Sequence, residues 1–271
     1  MRLSVTSWSF PQLTLREVAG VARALGIGAV DVGYLHRSAL DREAILADPE
    51  GEAQRLREAL GGLACANLYH LFGDGLSGRN LALPGTAEAN ARDLEAVLRF
   101  AEAAGIPTVF LLPGIVNPGQ SRAEAARVAA ESLRVLLDLP GARARVCVEP
   151  HVHSWAESPS LVRGLVEETG VRLALDYAHF LCLGFRQEEV DPLAPHAAHV
   201  HLRQARPGLL QAKFDRGTLN FAALMGTLRG AGYDGFLALE AVHQDYMGTL
   251  GDDVLTETVR MRDAVRAWQG A

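Results

Sequence analysis

The chain has few cysteines and no pair of them. Cys65, Cys147 and Cys182 are the three in 271 residues, and without a CxxC pair a zinc–thiolate knuckle is excluded. All three lie in or beside apolar segments, as small buried hydrophobes of a reducing compartment do. Basic residues are also in deficit: 26 Lys and Arg against 32 Asp and Glu leave a net charge of −6. A surface that coats nucleic acid needs a basic stripe, so no nucleic-acid partner is expected. No apolar run approaches the roughly 18 residues of a membrane helix, so no membrane partner is expected either. The opening MRLSVTSWSF lacks the long apolar stretch of a secretion signal, and a cytoplasmic location is the expectation. Linkers rich in Pro, Gly or Ser, low-complexity tracts and charge blocks are missing too. One domain over residues 1–271 is therefore expected.

What is there is an alternation. Hydrophobic residues at 49% and charged residues at 21% suffice for a large core and argue against disorder. Short β-rich runs predict strands at 3–8, 29–34, 62–70, 108–113, 145–149, 172–176, 198–202 and 236–240. Amphipathic stretches follow each: 15–26, 41–60, 86–105, 121–139, 158–169, 187–194, 221–230 and 253–268. Thr14 predicts an N-cap, and Ser121 with Glu124 a capping box. The strand runs are continuously apolar, as strands buried on both faces are. Eight strand–helix units in a chain of this length predict an α/β fold, a single-domain (β/α)8 TIM barrel. The rival, a doubly wound open sheet, usually carries a glycine-rich turn after its first strand; here SWSFPQLT follows, with no glycine.

Four ligand-type residues punctuate the second half. Glu149 ends RVCVE, Asp176 ends RLALD, His201 lies in HVHL and Glu240 ends FLALE. In a barrel the carboxyl ends of all strands meet on one rim, so these four residues should converge. Three oxygen donors and one imidazole suit one divalent metal ion: Mn2+, Mg2+ or Co2+, with Zn2+ also open.

Around this set the sequence stays polar. His179 lies three residues beyond Asp176 and should face the same cavity, and His151 follows Glu149 in EPHVHS. Arg203 and Arg206 follow His201 and are candidates to hold a substrate oxygen or phosphate. His70 ends the third strand and Trp8 the first, both on the same rim. His199 shares a strand face with His201 and should sit deeper in the barrel or toward its opposite end, as a core histidine. Trp155, in the loop after Glu149, is expected as a lid.

VCVEPH (146–151), LALDYAH (173–179), HVHLRQA (199–205) and GTLNFAALMGTLRGAGYDGFLALE (217–240) resemble the xylose isomerase-like barrel superfamily, specifically its sugar phosphate isomerase/epimerase group. The resemblance spans essentially the whole chain and is strong from about residue 145 onward. It implies that Glu149, Asp176, His201 and Glu240 bind one divalent ion, and that Glu149 and Glu240 are the acid/base pair. It implies that His179 contacts substrate oxygens. The superfamily's arginine beyond the seventh strand matches either Arg203 or Arg206. The function implied is a metal-dependent isomerase or epimerase acting on a sugar, ketose or polyol derivative through an enediolate. The alternatives are a dehydratase or 3-keto-glycoside lyase on the same metal, and a non-catalytic sugar-binding relative. Endonuclease IV shares the fold but needs histidines on the third and fourth strands and an Asp-x-His after the seventh. TVFLLPG and the residues after His201 supply neither, so that reading is disfavoured. Barrels of this type often pair through their outer helices, so a homo-oligomer is an expectation.

Overall fold

A computed structural model describes residues 1–73 and 78–269, with Tyr246 described by its backbone alone. Eight strands form a closed parallel barrel in sequence order. They are β1 (Arg2–Thr6), β2 (Ala29–Val32), β3 (Ala64–Tyr69) and β4 (Thr108–Leu111). The second half supplies β5 (Val146–Val148), β6 (Arg172–Asp176), β7 (Ala197–Leu202) and β8 (Phe236–Leu239). Closure is made by β1 against β8, with Leu3 opposite Leu237 and Val5 opposite Leu239. The registers of β2 on β3 and of β6 on β7 each shift once, at Val30/Asp31 and at Leu173/Ala174.

The connecting helices begin where the sequence offers caps. Thr14 and Glu17 form a full capping box on α1 (Leu15–Ala24). The stretch 41–60 is not one helix but two, α2 (Arg42–Ala47) and α3 (Pro49–Leu60), each capped by an aspartate, Asp41 and Asp48. Pro49 explains the break, because its ring disfavours helical backbone at the residue before it. It is itself well placed as the first residue of α3. Two further helices are α4 (Ala87–Ala104) and α5 (Arg122–Leu137), the latter opened by the Ser121–Glu124 box. A single turn, α6 (Ala142–Arg145), precedes β5.

After β5 come α7 (Pro159–Thr169), α8 (Tyr177–Cys182), α9 (Gln187–Val190), α10 (Phe221–Gly230) and α11 (Val254–Gln269). The expected helix at 187–194 is α9 followed by a 3-10 turn over Asp191–His196. LSVTSW does not stay extended to its end: Ser7–Ser9 winds into a 3-10 turn.

The main apolar core lies between barrel and helices, where Leu68, Leu133, Leu173, Leu224 and Leu237 are fully buried. A smaller cluster fills the barrel's upper interior: Trp8, Tyr69, Phe110, Cys147, Ala174, Val242 and Met247. Among the described residues no helix is long and apolar enough to cross a membrane.

Candidate active site and metal centre

Glu149 follows β5, Asp176 ends β6, His201 sits on β7 and Glu240 follows β8. All four are buried, at 1–6% exposure, so each needs an internal partner. Glu149, His201 and Glu240 converge. Their ligand atoms lie within 4.8 Å of one another, with His201 Nδ1 2.5 Å from Glu149 Oε1 and 3.6 Å from Glu240 Oε2. Asp176 is turned differently. Its Oδ1 accepts from the Ala178 amide at 2.8 Å and caps α8. Its Oδ2 accepts from Arg203 Nε at 2.8 Å and lies 2.6 Å from Nη2. The same guanidinium is 3.9 Å from Glu240 Oε2, so Arg203 stands between the two carboxylates.

This donor set fits a divalent cation. Two carboxylates and an imidazole are hard and borderline ligands of the kind Mn2+, Mg2+, Co2+ and Zn2+ accept. Glu240 Oε2 is buried without a hydrogen-bond partner, an arrangement that a ligated ion would satisfy. Trp8 donates its indole N–H to the other oxygen, Oε1, at 2.8 Å, which fixes the carboxylate plane.

Burial and charge set the protonation states. Burial disfavours an imidazolium at His201, but Glu149, Glu240 and Asp31 outweigh it and hold the group protonated well above the usual histidine range. Burial would raise Glu240, yet Arg203, His201 and the Trp8 indole keep it below the usual carboxylate range. For Asp176 burial wins over Arg203, and the carboxyl is pushed up to about 6. His179 is driven well down, first by burial and then by His151 and Arg203. Its Nδ1 receives the Val152 amide at 3.2 Å and its Nε2 lies 2.8 Å from Arg203 Nη2, so donors face both ring nitrogens.

The remaining sequence candidates fall in different places. His151 is half-buried, lines the cavity above Glu149 and packs its ring 4.1 Å from that of His179. His70 is buried on the other side of its strand end, with Nδ1 2.9 Å from the Tyr34 hydroxyl, and lines a separate small void. Burial, Arg42 and Arg79 push it down to about 3. Arg206 is exposed, in a turn whose backbone pairs with Leu209. Trp155 is not a lid. It is 1% exposed and its indole N–H donates to the Pro113 carbonyl at 2.6 Å, an anchor between two loops.

One residue of consequence has no counterpart among the sequence candidates. Asp31, on β2, is fully buried in the barrel, its Oδ2 2.7 Å from His199 Nε2 and 3.7 Å from His201 Nε2. Burial opposes its ionisation, but the two imidazoles prevail and hold the carboxyl far below the usual range. Asp31 thus faces the ring nitrogen of His201 that points away from Glu149 and Glu240. A carboxylate behind a ligating histidine fixes its tautomer and orientation. The signal in the sequence is a charged residue inside AVDV, a strand otherwise apolar on both faces.

Above these groups opens a cavity of about 400 Å3. Glu149, Glu240, Arg203 and His151 line one part of it; Trp8, Tyr69 and Phe110 form the adjoining floor. The loop after β7 is braced beside it by Gln204, which donates to Leu219 O at 3.0 Å and accepts from Leu219 N at 2.8 Å. Gly217 lets that loop close: a Cβ there would lie 2.1 Å from the Gln204 side chain.

The family described as the xylose isomerase-like TIM barrel matches residues 19–266. The chain belongs to this family. As a xylose isomerase-like barrel, it is 29% identical over 254 residues to a human protein carrying the name "Putative hydroxypyruvate isomerase", covering 86% of each chain. Solved structures share the fold. D-psicose 3-epimerase from Clostridium cellulolyticum, with D-tagatose, superposes with a TM-score of 0.73 at 12% identity, covering 98% of this chain and 99% of that one. A 3-keto-D-glucoside 4-epimerase from E. coli superposes with a TM-score of 0.71 at 15% identity, over 100% of both chains.

Proposed function

We propose that the protein is a divalent-metal-dependent isomerase or epimerase of a sugar, ketose or sugar derivative, with Glu149 and Glu240 as its acid/base pair. The observation that carries this reading is the convergence of those two carboxylates, which line the cavity, on His201 Nδ1. Glu149, His201 and Glu240 would hold the ion, with Asp176 as a fourth ligand once Arg203 shares or releases it. Bound there, a divalent cation stabilises negative charge developing on a substrate carbonyl oxygen.

The chain's own groups then divide the work. One glutamate takes the proton from the carbon beside the carbonyl, and the other returns a proton from the opposite side. Return to the same carbon gives epimerisation; return to the neighbouring carbon gives aldose–ketose isomerisation. Trp8 keeps Glu240 oriented through Oε1, leaving Oε2 toward the ligand atoms. Arg203, on the cavity wall, stands where substrate oxygens would arrive, and His179, its pKa driven down by burial, lies 2.8 Å from that guanidinium and positions it. The surrounding apolar floor keeps water from the carboxylates, which strengthens every charge interaction among them. The relatives' names, an isomerase and two sugar epimerases, agree with this chemistry.

The test is solvent exchange. Protein reconstituted with Mn2+ should incorporate deuterium from D2O into a ketose of the sugar panel, and Glu240→Gln should abolish incorporation with the circular dichroism unchanged. Exchange persisting in Glu240→Gln would refute the assignment. Product analysis on the same panel separates the elimination alternative, because loss of a β-substituent yields a conjugated chromophore.

A further inference from the structure

The cavity rim is divided. The loops after β5 and β8, with the end of β7, carry Glu149, His151, Arg203, Glu240 and Gln244. The loops after β2, β3 and β4 present Leu35, Leu71, Leu112 and Ile115 to the same space. These four are half-buried, although the chain buries most of its large aliphatic side chains fully. Beneath them Tyr69 and Phe110 stack with centroids 4.4 Å apart and planes within 10°. Trp8 meets Tyr69 edge-on at 5.9 Å. Apart from the Tyr69 hydroxyl and the Trp8 indole N–H, which is already donated to Glu240 Oε1, the side chains lining this arc among the described residues carry neither donor nor acceptor.

A bare ketose has hydroxyls along its whole length. Seated with its reacting carbons on Glu149 and Glu240, it would press the rest of them against this arc. A hydroxyl buried without a partner is penalised, because it gives up its hydrogen bonds to water and gains none in return. The arc instead suits flat apolar surface, which aromatic floors bind by area and by edge-to-face or offset contact. A cavity of about 400 Å3 also falls in the range of pockets that enclose drug-sized ligands, roughly 300–1,000 Å3.

We propose that the substrate is a sugar that carries a ring ketone and, in glycosidic linkage, an aryl group, with the ketone and its neighbouring C–H on the charged arc and the aryl group on the β2–β4 arc. This rests on the acid/base reading of Glu149 and Glu240, and deepens it by naming the class of molecule that site takes.

The experiment is calorimetric titration of the Mn2+-reconstituted protein with matched methyl and phenyl glycosides of glucose, galactose, mannose and xylose. At least one phenyl member should bind about tenfold or more tightly than its methyl partner, as burial of one aromatic ring requires. Leu112→Asn and Leu71→Ala should each cut that preference to within about threefold and leave the methyl glycoside's Kd unchanged. A phenyl-to-methyl ratio near one in every pair, or no phenyl glycoside binding at all, overturns the proposal. The ratio is measured on the wild-type protein, so failure of a variant to fold leaves it standing as a test. Deuterium exchange is scored separately, into bare ketoses and into matched methyl and phenyl glycosides that carry a ring ketone. Exchange without phenyl preference sinks the aryl proposal alone, whereas phenyl preference without exchange into any of these compounds sinks the acid/base reading.

Discussion

Asp31→Asn should weaken divalent-metal binding about 10- to 100-fold while the barrel still folds. The substitution keeps shape and hydrogen-bonding capacity and removes one charge. Asp31 Oδ2 lies 3.7 Å from His201 Nε2. With an effective dielectric of about 20, a full unit charge at that separation would be attracted by roughly 4.5 kcal/mol, and a neutral, ligating His201 carries only part of a cation's charge at its Nε2–H. That is a gross figure. The Asn variant also escapes the cost of holding an ionised carboxylate in a fully buried position, so the net loss must be smaller. Ten- to hundredfold corresponds to about 1.4–2.8 kcal/mol, which fits inside the gross value. Tautomerism contributes in the same direction: without the anion behind Nε2, the ring can protonate Nδ1, the nitrogen that faces Glu149 and Glu240. The assay is titration of Mn2+ at pH 8, followed by the resonance of the free ion, with a thermal melt as the control for folding. A Kd within about twofold of wild type, in a variant that melts normally, would show that Asp31 serves His199 and the barrel interior alone.

Four further outcomes follow from the site. Trp8→Phe removes the donor to Glu240 Oε1, a bond to a charged group worth about 1.5–3 kcal/mol, so turnover should fall about tenfold or more and the melting temperature should drop by several degrees. Metal affinity should weaken as pH falls. His201 holds its proton well above the usual histidine range, and the Asp176 carboxyl is pushed up to about 6, so protons compete with the ion and Kd measured between pH 8 and 5 should rise steadily. In chelator, the raised His201 value makes its stabilisation complete below the unfolded value of 6.5 and lost as pH climbs through the native one. Melting in EDTA should therefore decline above neutrality, and a melt that rises there would contradict the imidazolium. Trp155→Ala should cost about 3–5 kcal/mol in denaturant unfolding, as loss of a buried anchor does; a lid would cost almost nothing.

The residues that position the site were the ones most legible in the chain. RLALD is β6 to the residue, and the helix expected at 221–230 is α10 without adjustment. Both are simple cases: an apolar run closed by a carboxylate, and a helix opened by Asn220, whose side chain accepts from the Ala223 amide. YAHFLC was not legible as a helix, because α8 is six residues long and buried nearly all round, so no amphipathic period shows. The convergence of Glu149, His201 and Glu240 could be anticipated from strand order alone, since parallel strands in a barrel deliver their ends to one rim. The pairing of Asp176 with Arg203 could not. It depends on how a long side chain from the end of β7 crosses to β6, which no spacing encodes. Asp31 had a weaker signal, a charge within a strand buried on both sides, and only the register of β2 against the barrel interior turns that oddity into a partner for two histidines.

The two arcs of the rim descend from separate stretches of the polypeptide. Leu35, Leu71, Leu112 and Ile115 precede α5, whereas Glu149, Arg203 and Glu240 come after it. On the proposed assignment, a crossover placed in α5, between two genes of this family, would graft one protein's choice of molecule onto another's acid/base pair, provided the donor keeps an indole where Trp8 stands and a carboxylate where Asp31 stands. Such an arrangement lets the first half of the gene drift toward new compounds while the second half is held still, and it makes half-barrel shuffling a natural route to altered selectivity.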